Sequence, residues 1–154
     1  MVLLVFFLIG LPIAVVAVPH GTEIADRLED VNDVRVMLYA LYVGPLGEET
    51  PLAADGKLDI YGLLRREGKS TEEIVGFCHS SRTGQGPTAA EVEGGDYSRF
   101  PYERHTGPID PDRATERPLL WDREPMPDGS RLVGLAGAAV RIVDAEEFRA
   151  LSGG

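Results

Sequence analysis

The sequence predicts an α+β fold in which a hydrophobic and then amphipathic N-terminal helix packs on a small antiparallel sheet, with a short helix at the C-terminal end. Three observations lead there. Ile24, Leu28, Val31, Val34, Leu38 and Leu41 fall three or four residues apart and form one stripe of a helix. The second half carries short runs rich in β-forming residues, separated by Pro, Asp and Gly turn signals. Asp144 to Leu151 has the cap and staple pattern that opens a helix. The chain divides into an apolar segment, residues 1–18, and one domain, residues 19–154, of about 135 residues, enough for a single core.

The apolar segment runs from Val2 to Val18 with no charge and no hydroxyl. As a helix it is about 26 Å long, close to the hydrocarbon thickness of a bilayer. Leu3, Leu4, Val5, Phe6, Phe7, Leu8, Ile9, Leu11, Ile13, Val15 and Val16 are the residues expected to sit in lipid. Three readings are open: a retained membrane anchor, a signal peptide cut after Ala17, and a buried core helix. The anchor reading places the rest of the chain outside the cytoplasm, in the periplasm or cell envelope, although the first basic residue is Arg27 and gives little orientation. Pro12 kinks the segment, and Pro19-His20-Gly21 ends it.

Thr22 is the expected N-cap of the amphipathic helix, which the pattern carries to about Tyr42, where Gly44, Pro45 and Gly47 stop it. A loop to Gly56 follows. Lys57 to Glu67 predicts a short helix with Leu58, Tyr61 or Gly62, Leu63 and Leu64 facing inward and Gly68 at its C-terminal end. Ser70 with Glu73 is a capping box that opens another turn or two, through Ile74 and Val75. Residues 78–86 read as a loop, and Thr88 with Glu91 is a second capping box, ended by Gly94 and Gly95.

From Asp96 to His105 the aromatics Tyr97, Phe100 and Tyr102 alternate with polar residues, as in an irregular edge strand interrupted by Pro101. Pro118 to Asp122 predicts a strand running into a turn at Pro127-Asp128-Gly129. Arg131 to Leu135 and Ala138 to Val143 flank Ala136-Gly137 and predict a hairpin, with Leu132, Val140 and Ile142 buried. A two-residue loop there asks positive φ of Gly137, which is free, and of Ala136, which is strained. In the last helix Asp144 and Glu147 form a capping box, and Val143 and Phe148 a hydrophobic staple.

Charge excludes one class of partner. The formal net charge is −10 and the isoelectric point near 4.7, so phosphate backbones are repelled and nucleic acid is not an expected partner. Cys78 is the single cysteine, which rules out an intramolecular disulfide. It neighbours His79, but adjacent side chains diverge on a strand and lie 100° apart on a helix, so they make no dyad by themselves. His20 and His105 are remote, and one Cys with three scattered His lacks the paired spacing of a zinc site. Glu72 and Glu73, Glu91 and Glu93, and Glu146 and Glu147 each fall in a helix first turn, where carboxylates suit the helix dipole. Asp110 and Asp112 lack the multi-carboxylate loop of a calcium site, and Gly84-Gln85-Gly86 lacks the lysine and preceding strand of a phosphate loop. Trp121 reads as a core residue. No catalytic residue, metal site or cofactor is expected.

The stretch from Gly86 to Arg104, GPTAAEVEGGDYSRFPYER, followed by PLLWDREP from Pro118 to Pro125, resembles the C-terminal region of pseudopilin-like proteins of planctomycete-type bacteria, within the type II secretion and type IV pilin superfamily. The likeness covers about seventy residues, with looser support from Val34 to Tyr42 and Leu58 to Cys78. It departs from that family's pattern at Met126, Ala136 and His79, where the family carries His, Asp and Pro, and in the apolar segment, which lacks the family's basic-Gly leader and early glutamate. The resemblance implies a pilin-like fold and a non-enzymatic envelope protein that acts as a subunit of a type II secretion or pilus-like assembly, with the membrane and other pilin-like subunits as partners. A free-standing extracytoplasmic binding domain that does not polymerise is the alternative.

Overall fold

The computed structural model describes residues 25–41 and 49–153. The first helix, α1, covers residues 25–41. It is followed by α2 (Ile60–Arg66), α3 (Thr71–Phe77), α4 (Ala89–Gly94), β1 (Tyr102–Arg104), β2 (Leu120–Asp122), β3 (Arg131–Leu135), β4 (Ala139–Val143) and α5 (Ala145–Ser152). The strands form one antiparallel sheet in the order β1-β2-β3-β4, so the fold is α+β.

Strand alternation gives the sheet two differently covered faces. On the first, Leu120, Leu132 and Tyr102 join the main core together with Val34, Met37, Leu38 and Leu41 of α1. The closest approach is at Gly134: a Cβ there would lie 2.8 Å from Val34 Cγ1 and nearer still to Leu38 Cδ1, so only glycine lets α1 settle on β3. On the second face Val133, Leu135 and Val143 pack with Trp121 and with Phe148 and Leu151 of α5. Helix, sheet and helix therefore stack in three layers, with α2, α3 and α4 closing one end of the main core through Tyr61, Leu63, Leu64, Ile74 and Val92.

Local signals explain most elements. Both capping boxes form, Ser70 with Glu73 and Thr88 with Glu91, each satisfying two otherwise orphaned N–H groups. Gly95 takes φ 69° as the left-handed end of α4. Only the end of the aromatic run, Tyr102–Arg104 after Pro101, forms the expected edge strand, β1. Tyr97 and Phe100 precede β1 and turn inward, where Tyr61 and Tyr97 stack with centroids 4.0 Å apart and Phe100 meets both edge-on. The short helix begins at Ile60 rather than Lys57, because Asp59 caps it through the N–H of Gly62, while Leu58 donates its N–H to the carbonyl of His105.

Three expectations are corrected. Leu28 is 64% exposed and does not share the buried stripe. The buried face runs through Asp30, Val34, Met37, Leu38 and Leu41, and Leu28 lies about 200° around the helix from Asp30. The hairpin turn is the 3-10 stretch Ala136–Ala138, with Gly137 at φ 76° and Ala138, not Ala136, at φ 57°. Ile142 pairs with Leu132 on the α1 side but lies on the outer strand and is 43% exposed.

The anchor residues Leu3, Leu4, Val5, Phe6, Phe7, Leu8, Ile9, Leu11, Ile13, Val15 and Val16 lie outside the described residues, as do Thr22 and Ile24. Among the described residues no helix is long and apolar enough to cross a membrane. The longest, α1, carries Asp26, Arg27, Glu29, Asp30, Asp33 and Arg35 and spends its apolar face on the sheet. The expectations of a transmembrane helix and of a membrane-anchored, extracytoplasmic placement are corrected accordingly.

Candidate functional site

The thiol of Cys78, at the C-cap of α3, is sealed in the core 3.9 Å from Met37 Sδ, and burial pushes it well above the ordinary thiol range. It is neither exposed nor thiolate-forming, as a nucleophile must be. His79 packs instead against Gly86, where a Cβ would come within 2.9 Å of its ring. Glu73 and Glu91 serve their caps. In α5 Asp144 caps alone, accepting the N–H groups of Glu146 and Glu147 at 2.9 and 2.8 Å, while Glu147 reaches Arg141 at 3.3 Å. Asp110 accepts the N–H of Asp112 in a tight turn. His20 lies outside the described residues. Among the described residues no group of three or more His, Cys, Asp or Glu is placed to hold a metal ion.

A buried polar hub, unmarked by any motif, joins α1 to the loop after α3 and to the sheet. Asp30 is 2% exposed, and its carboxylate accepts the Ser80 hydroxyl at 2.8 Å and the Ser81 N–H at 2.7 Å. Arg82 lies 3.5 Å from Asp122 and donates to the Glu124 carbonyl at 2.9 Å, while Asp122 accepts the Leu132 N–H at 2.8 Å. Burial raises the pKa of Asp30 and of Asp122 against these hydrogen bonds and the Arg82 charge, which lower them. Asp33 is pushed up to about 6 by burial and by its neighbours Glu29 and Asp30. The Tyr102 hydroxyl, close by, is buried with no hydrogen-bond partner. The hub binds three elements together and presents no open reaction centre.

A second, charged surface lies over β1. The Arg104 guanidinium sits 3.4 Å above the Tyr97 ring, donates to the Leu58 carbonyl at 2.9 Å and pairs with Asp55. Glu103 takes Lys57 at 2.9 Å and Arg123 at 3.3 Å. These charges border a concavity of about 390 Å³ but are matched pair by pair.

A third concavity, of about 250 Å³, lies on the outer face of the sheet, bordered by His105, Arg117, Pro118, Trp121 and Leu151. Trp121 is half-buried here, 6.2 Å from the Phe148 ring, rather than inside the main core, and Asp122 is the buried member of the pair. Alternation along β2 separates them, and only the pairing of that strand shows which face α1 covers. A fourth surface, of about 460 Å³, runs between α1 and α2 past Val36, Tyr39, Ala40 and Leu64.

No family model matches the chain, and neither the curated proteins nor the solved structures contain a significant match to it.

Proposed function

We propose that the chain is a non-enzymatic, pseudopilin-like domain that works by contact with other subunits of a type II secretion or pilus-like assembly. The observation that carries this reading is the use made of α1. The helix lies on an antiparallel sheet through Val34 and Leu38, and its opposite side turns Leu28 and Tyr39, 64% and 59% exposed, to solvent. With Asn32 and Arg35, also exposed, they form an outward stripe spaced four, three and four residues, which suits helix-to-helix contact with a second copy. The sealed Cys78 thiol and the carboxylates committed to caps and to the Asp30 hub favour a binding or structural role over catalysis.

Photo-crosslinking from residues 28 and 39 of the full chain, in its native cells, tests the reading. The expected result is a set of products with other subunits that disappears in the Leu28→Glu and Tyr39→Glu chains. Uncrosslinked monomer from both positions would overturn it. That outcome fits the second reading, a free-standing binding domain that does not polymerise, which the unpaired arginine of the outer groove favours.

A further inference from the structure

The outer groove combines features that a merely packed surface does not require. Its apolar walls are Trp121 of β2, Pro118 and Leu151 of α5, and its polar rim is His105 and Arg117 together with Thr106 and Ser152. His105 and Arg117 also border a smaller cavity of about 50 Å³ beneath the loop at 108–114. Arg117 Nε is buried and has no hydrogen-bond partner, and among the described residues the guanidinium has no carboxylate either.

Arg35, Arg66 and Arg99 also lack a carboxylate among the described residues, but all three are exposed, whereas Arg117 is half-buried. Other arginines around the sheet are engaged: Arg82 with Asp122, Arg104 with Asp55, Arg123 with Glu103, and Arg131 with the carbonyls of Asp122 and Arg123. Of the acidic groups near in sequence, Glu116 pairs with Arg113 at 3.8 Å, Asp110 accepts the Asp112 N–H in its own turn, and the exposed Asp112 carboxylate makes no ion pair with Arg117. No carboxylate among the described residues pairs with the Arg117 guanidinium, so a carboxylate entering the groove gains charge-assisted hydrogen bonds that the chain itself does not supply. The apolar walls strengthen that pairing by keeping water away, and they offer an aromatic face to whatever carries the charge.

We infer that the Arg117–Trp121 groove binds a carboxylate carried on an apolar group about the size of one amino-acid side chain. Arg117 holds the carboxylate, His105 lies at the same rim, and Trp121, Pro118 and Leu151 enclose the apolar body. A small organic acid and the C-terminal residue of a peptide share this chemistry. The overall charge of −10 disfavours diffuse anion binding, so saturable binding of an acid reports a local site.

Trp121 is the only tryptophan of the chain, so its emission reads the groove directly. The full chain is titrated with 4-methylpentanoate and its amide, and with the peptide Ala-Ala-Leu bearing a free or an amidated C-terminus. The expected result is a saturable emission change with the free acids and binding weaker by about tenfold or more with the amides. Arg117→Gln should weaken the acids by about the same factor without moving the amides, and Arg117→Lys should keep part of the response. Tighter binding of the free peptide than of 4-methylpentanoate identifies a peptide end as the source, and the reverse identifies a small acid. Equal binding of acid and amide, or full acid affinity in a folded Arg117→Gln chain, would overturn the inference. If Arg117→Gln does not fold, the acid and amide pair on the unchanged chain decides.

Discussion

Asp30, on the buried side of α1, accepts the hydroxyl of Ser80 at 2.8 Å and so ties the first helix to the loop that follows α3. The same carboxylate takes the Ser81 N–H at 2.7 Å. An acidic residue thus occupies a place on the helix that an apolar residue usually fills, and it serves as acceptor for donors otherwise buried without a partner.

Asp30→Ala should lower stability by about 1–3 kcal/mol, the cost of leaving the Ser80 hydroxyl and Ser81 N–H unsatisfied. Asp30→Asn should recover only part of the loss, since its amide adds donors to a place that needs acceptors. Urea unfolding of the three chains, compared at one pH, measures both; an Ala chain as stable as the parent removes the hub from the account of stability.

Tyr102→Phe should be neutral or stabilising by up to about 1 kcal/mol, because the hydroxyl is buried without a partner and its desolvation is not repaid. Thermal unfolding checks this. A clear loss would mean that the hydroxyl has a partner, such as an ordered water.

Gly134→Ala should destabilise by about 1–3 kcal/mol, since the new methyl group meets Val34 Cγ1 and Leu38 Cδ1 and pushes α1 from the sheet. Truncating the obstructing side chain with Leu38→Ala should recover part of that overpacking in the double variant, although Leu38→Ala alone is destabilising. Strictly additive losses in the double-mutant cycle would contradict the contact.

Asp33 gives stability a pH dependence of definite sign. Its folded pKa, about 6, lies above the ordinary value of 3.8, so the folded chain holds the proton more tightly than the unfolded one. Its contribution is therefore favourable at low pH and is lost as pH rises from about 4 to about 6. Asp33→Asn should stabilise the chain by about 1–2 kcal/mol at pH 7 and by little below pH 4. Chemical denaturation across that range is the measurement, and a gain independent of pH would sink the assignment.

The sequence by itself determined the elements whose causes are local. Ser70 with Glu73 and Thr88 with Glu91 opened the expected helices, because each satisfies N–H groups within its own first turn. Pairs of strands joined by short turns carried enough alternation to mark β2, β3 and β4, and the Gly137 turn lies within a residue of its expected place. The first half of α1 was misread, because a helical stripe drawn through apolar residues alone has no place for a buried Asp30. Its acceptable burial depends on Ser80 and Ser81, fifty and fifty-one positions away. The outer groove was equally hidden. Arg117, Trp121 and Leu151 share no spacing, and a residue's lack of a partner exists only once all its neighbours are in place. Caps and turns follow from hydrogen bonds a few residues long, which the chain order contains. Which face of the sheet α1 covers, which charge is buried and which arginine borders the outer groove follow from contacts between distant segments, and only the tertiary structure decided them.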